Sequence, residues 1–149
     1  DSACFAGHEP LDVYADYCAD LGHMAADFSD IDVVAHFDRI LWRGSLLGAT
    51  FAPRAVETLV RDALATIAWR GLALELNLRT LNHVPNWRPA LATMLRWYGE
   101  EGGRRVVVNS DAHRVGQMGA NLELAAALLR EAGLAATTLQ PATLAGVGG

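Results

Sequence analysis

Four short aliphatic runs alternate along this chain with four apolar stripes at helical spacing. Residues 31–35, 72–77, 104–109 and 134–139 read as strands. Leu11, Tyr14, Ala15, Cys18 and Leu21 define a helix over 10–26, opened by Pro10. Val56, Leu59, Val60, Ala63, Leu64 and Ile67 define a second, opened by Pro53 and stopped by Gly71. Leu91, Met94, Leu95 and Tyr98 mark a third, ended by Gly102 and Gly103. Leu122, Ala125, Ala126, Leu129 and Ala132 mark a fourth, ended by Gly133. Such alternation demands a parallel α/β sheet or barrel, because parallel neighbours need a helical crossover. Right-handed crossovers then bring the C-terminal strand ends to one rim.

The remaining segments read as connections. Residues 1–9 form a strand end running into a loop, and 37–52 a longer connection containing Gly44 and Gly48. Residues 78–86 are an Asn-containing loop ending at Pro85 and Asn86, and 140–149 a small, Gly-rich tail that frays. No linker or repeat divides the chain, so residues 1–149 are read as a single domain.

Composition narrows the class. At 52% hydrophobic and 19% charged, the chain has the makeup of a packed globule and not of a disordered one. A net charge of −5 argues against binding long nucleic acid, which needs a basic face. Every one of the twelve basic residues is arginine. Cys4 and Cys18 lack metal or redox spacing and read as small apolar residues, which favours a reducing, cytoplasmic setting. No apolar run approaches the ~20 residues of a membrane span.

The rim is where chemistry concentrates. The strand ends carry His8, then His36 with Asp38, then Glu75 with Asn77, then Asp111 with His113. Three of the five histidines fall at these positions; His23 lies within the first helix and His83 in a loop. In extended chain, residues i and i+2 point the same way, so Asp111 and His113 can reach one site. The plainer reading of Ser110 and Asp111 is a turn cap. Glu75 can be a ligand, a partner that orients a ligating histidine, or a buried acid paired with arginine; the orienting role is favoured. Histidine and carboxylate without thiolate suit zinc, manganese or iron. Two or three such ions held about 3.5–4 Å apart fit phosphoester hydrolysis. An anionic substrate also needs fixed cations, for which Arg43, beside Trp42, and Arg79 are the candidates.

At these residues the chain resembles the PHP (polymerase and histidinol phosphatase) family. Asn109-Ser110-Asp111-Ala112-His113 is similar to its closing Ser-Asp-Ala-His motif. Val33-Val34-Ala35-His36-Phe37-Asp38 is similar to its strand ending in a metal-binding histidine, and Leu74-Glu75-Leu76-Asn77 to its Glu-x-Asn strand. Gly7-His8-Glu9-Pro10 is similar to a further metal-binding segment. The resemblance runs from about residue 6 to 134 and implies the C-terminal part of a distorted seven-stranded (β/α) TIM-like barrel. It implies that His8 and His36 bind one metal, Asp111 a second, and His113 a third or neighbouring one. Asp38, Glu75, Asn77 and Ser110 would support these ligands. The run from Gly99 to Ser110 resembles the histidinol-phosphatase-type members, which hydrolyse a small phosphomonoester. The alternatives are a nucleotide-directed or nucleic-acid-end phosphoesterase, a TIM-barrel amidohydrolase, and a barrel remnant that binds metal or a partner without catalysis. The family's opening His-x-His pair and bridging glutamate are not found in this sequence. The resemblance therefore implies an N-terminally truncated domain, which needs a preceding segment to complete its site and is inactive or nearly so alone.

Overall fold

A computed structural model describes residues 2–48, 53–83 and 88–139. Helix α1 spans Pro10–Asp27, strand β1 Val33–Val34 and helix α2 Arg39–Ser45. Helix α3 (Glu57–Trp69) leads to β2 (Ala73–Asn77), which runs directly into α4 (Leu78–His83). Helix α5 (Arg88–Glu100) leads to β3 (Val106–Asn109), and α6 (Leu122–Glu131) follows. The strands form a parallel sheet in the order β1-β2-β3. Glu75 stands opposite Val107, and Asn77 opposite Asn109.

Burial explains why β2 is central. All five of its residues are buried, as a strand covered on both faces requires. Val60, Leu64 and Ile67 of α3 are fully buried, and so is Tyr14 of α1. Gly22 of α1 lies so close to Ala63 that a Cβ there would sit 3.4 Å from the Ala63 backbone. Gly44 of α2 faces the Tyr14 phenol far more closely, and any side chain there would overlap it. The Tyr98 hydroxyl lies 3.1 Å from the carbonyls of both Leu72 and Arg105, tying together the starts of β2 and β3.

The helix ends are closed by specific groups. Gly71 takes φ +66°, and Leu72 N–H donates to the Ile67 carbonyl at 3.1 Å, a left-handed glycine stop for α3. The Arg70 guanidinium donates to the carbonyls of Ala25, Ala26 and Phe28, satisfying the open end of α1. Arg61 of α3 binds Glu57, Glu100 and Glu101 and lies over the Trp97 ring, which joins α3 to α5.

Several expectations need correction. The N-terminal segment is a 3-10 turn over Ser2–Phe5, not a strand end, so His8 does not follow a strand. The connection after His36 contains α2, whose short apolar face (Ile40, Leu41) packs inward because Gly44 admits Tyr14. The loop after Asn77 is α4; the Asn77 side chain accepts the Arg79 N–H at 2.9 Å and starts the helix at once. Pro53 opens a 3-10 turn, Pro53–Val56, before α3 proper. The last expected strand contributes one parallel bridge, Ala136 to Val106. Among the described residues the sheet has three strands and does not close into a barrel. The expected tail, 140–149, lies outside the described residues, as do 49–52 and 84–87.

Candidate active-site rim

The C-terminal ends of the three strands hold two joined polar groups. The first centres on Glu75, whose side chain is 4% exposed. Its Oε2 accepts the His36 backbone N–H at 2.8 Å and lies 3.4 Å from His36 Nδ1. Its Oε1 accepts the Asn109 amide at 2.6 Å. Asn77, on the same strand face as Glu75, lies 3.5 Å from both Glu75 Oε2 and His36 Nδ1. On its other side His36 is held by Tyr17, whose hydroxyl donates to the His36 carbonyl at 2.7 Å. Burial pushes that phenol up to about 12, so it stays a donor through the neutral range.

The second group joins β3 to α4 and α2. Arg79 Nη1 stands 2.8 Å from the His113 ring nitrogens and 3.7 Å from Asp111 Oδ2. His113 Nδ1 is 2.9 Å from the Asp111 carbonyl, and Gln117 accepts the His113 N–H at 2.9 Å. The guanidinium carbons of Arg39, Arg43 and Arg79 lie 4.3, 5.1 and 5.3 Å from the centre of the Trp42 ring. Three permanent cations thus gather about one indole, a charge density that suits a multiply charged anion.

Asp38 lies beneath this rim and is 3% exposed. Neither carboxylate oxygen has a hydrogen bond of ordinary geometry among the described residues, although Thr80 gives some relief. Burial dominates and pushes the carboxyl up to about 6 from its ordinary 3.8. Between these values the folded chain holds more protons than the unfolded one, so stability falls as pH rises through that window. Asp38→Asn, with no charge to bury, is expected to remove this fall and gain at most about 3 kcal/mol at pH 7. Urea unfolding of both chains at pH 4 to 7, with chelator present, checks it. Parallel pH profiles would refute it.

The expected ligands do not meet as a set. His36 sits beside Glu75, and Asp111 sits with His113, each at its strand end. His8 is exposed and lines a cavity with Cys4, Asp12, Asp16, Asp20 and Tyr17, the residue whose hydroxyl holds His36. Among the described residues no three His, Cys, Asp or Glu side chains converge to hold a metal ion. The Arg79 guanidinium stands where a cation between Asp111 and His113 would be drawn. The described residues therefore do not by themselves fit a metal centre. Ser110 is half-buried between Asn109 and Asp111.

Two contributors escaped the sequence reading. Tyr17 lies within the first helix but outside its apolar stripe. Asn109 looked like the last residue of a strand. Its signal was register, since pairing β2 with β3 places Asn109 beside Asn77 and within reach of Glu75.

The arrangement is that of an α/β protein whose parallel strands deliver polar groups to one rim. Compared with solved structures, the chain matches histidinol phosphate phosphatase from Lactococcus lactis subsp. lactis Il1403, complexed with zinc, L-histidinol and phosphate. The TM-score is 0.72 at 14% identity, covering 89% of this chain and 50% of that one. This likeness shows the fold, and agrees with the PHP-like fold that the motifs imply. The chain spans about half the length of that enzyme. No protein-family model matches the sequence, and no curated protein matches it. Among the described residues no helix is long and apolar enough to cross a membrane.

Proposed function

We propose that this chain forms the phosphate-holding part of a PHP-type, metal-dependent phosphoesterase that hydrolyses a small phosphomonoester such as histidinol phosphate. The observation that carries the reading is the Arg39–Arg43–Arg79 cluster on Trp42, next to Asp111 and His113, on this fold. Guanidinium forks bind phosphate oxygens and keep their charge at any working pH. His113 and Asp111 stand beside Arg79 at the same rim. Zinc, which the matched enzyme carries, is the metal assigned to the complete centre. The described residues do not assemble that centre, so ligands outside them are required. The single-domain assignment over 1–149 and the completion of the site by a preceding segment belong to the same proposal.

A second reading is a non-catalytic remnant that binds metal or a partner. The lack of three converging donors among the described residues favours it. The deciding experiment loads the intact protein carrying this chain with zinc and measures phosphate release from histidinol phosphate. Release supports the first reading. Turnover of other phosphomonoesters alone sinks the substrate and keeps the class. No release from any phosphomonoester, with zinc bound, moves the assignment to the remnant.

A further inference from the structure

Two residues at the rim adopt a backbone conformation that side chains resist. His36 has φ +61° and Asp111 φ +45°. Left-handed geometry is disfavoured for a non-glycine residue, and persists where surrounding groups fix it. These residues stand on either side of the central strand, one after β1 and one after β3. A continuous set of hydrogen bonds joins them. His36 N–H donates to Glu75 Oε2 at 2.8 Å, and Asn109 Nδ2 donates to Glu75 Oε1 at 2.6 Å. Asp111 N–H then donates to Asn109 Oδ1 at 3.2 Å.

We propose that Glu75 and Asn109 are a positioning pair, a relay that sets both left-handed turns of the rim against β2. The Glu75 carboxylate accepts on both oxygens, so it braces the two turns together. The asparagine amide is the adaptor: its NH₂ faces the carboxylate and its oxygen faces the Asp111 N–H. A reversed amide would set oxygen against carboxylate and NH₂ against N–H, so one orientation satisfies every partner. Asn109 thereby places the Asp111 carboxylate, and Glu75 places the His36 imidazole. The hydrogen-bond relay stands on the geometry alone. Its service to a reaction rests on the phosphoesterase reading.

The donor order makes the relay testable by exchange. Glu75→Gln puts a second NH₂ against Asn109, and Asn109→Asp puts a second carboxylate against Glu75. Each breaks the relay. The double variant restores it with donor and acceptor reversed. The backbone amide resonances of His36 and Asp111, followed by NMR in the whole chain, are the direct readout. Each single substitution is expected to shift the Asp111 amide proton, and the double variant to bring it back toward its original position. If Glu75→Gln fails to fold, Asn109→Asp and Asn109→Ala, at an exposed side chain, carry the test. Unchanged His36 and Asp111 resonances in folded Asn109 variants would overturn the relay, as would a folded double variant that does not return them. In the intact zinc-loaded protein, Asn109→Asp is expected to lower kcat about tenfold at unchanged KM, with recovery in the double variant. Loss of KM alone would remove the positioning role. Absence of turnover in the unsubstituted protein would instead sink the phosphoesterase reading and leave the amide result to decide the relay.

Discussion

Asp111→Asn is expected to reduce metal-dependent phosphate release by the intact protein at least about a hundredfold, while the chain stays folded. Asparagine is the informative replacement because it enters left-handed backbone readily, so the φ of +45° at this position is kept. Alanine would confound loss of charge with backbone strain. The substitution removes the negative charge that faces Arg79 at 3.7 Å and leaves the Asn109 contact to the backbone N–H in place. The pair is partly exposed, so little stability is lost with it. Phosphate release measured beside a thermal melt separates the outcomes. Retained turnover with an unchanged melt would remove Asp111 from the site.

The largest stability effect is expected at Trp97. Its side chain is 2% exposed in the core, and its ring seats the Arg61 guanidinium at 5.0 Å. Trp97→Ala leaves a cavity beneath α5 and takes away the surface that aligns Arg61 with Glu57, Glu100 and Glu101. The expected cost is about 3–5 kcal/mol. Arg61→Met is expected to cost far less, because its ion pairs are partly exposed and screened by solvent. Denaturant unfolding of both variants checks the order. An equal loss in the two would mean that the ion-pair network, and not the indole, joins these helices.

The long helices and the two clearest strands were legible because burial imposes a period on them. Val60, Leu64 and Ile67 are buried as their spacing requires, and β2 is buried along its whole length. Helices α2 and α4 were not legible, for physical reasons. Each is shorter than two full helical stripes, and each is set by a contact outside its own sequence. Gly44 reads as a helix breaker until Tyr14 is seen to fill the space above it. Asn77 reads as a loop residue until its side chain is seen to accept the Arg79 N–H. The rim was legible as a set of residue types at strand ends. The cohesion of that rim was not, because it runs across strands through Asn109, and a single sequence carries no register. His8 shows the converse, since its place in the order of motifs implied a strand end, while the turn over Ser2–Phe5 and helix α1 set it in a cavity lined by Tyr17 and the acidic residues of α1.

The setting of Trp42 has an optical consequence. Of the four tryptophans, Trp97 is sealed in the core, Trp69 is 85% exposed, and Trp87 lies outside the described residues. Trp42 alone of the described three is ringed by guanidiniums. An oxyanion drawn in among Arg39, Arg43 and Arg79 would pull those charges off the indole and alter its emission. The protein thus carries an internal fluorophore at the proposed phosphate site, and a titration with inorganic phosphate would be followed without a label.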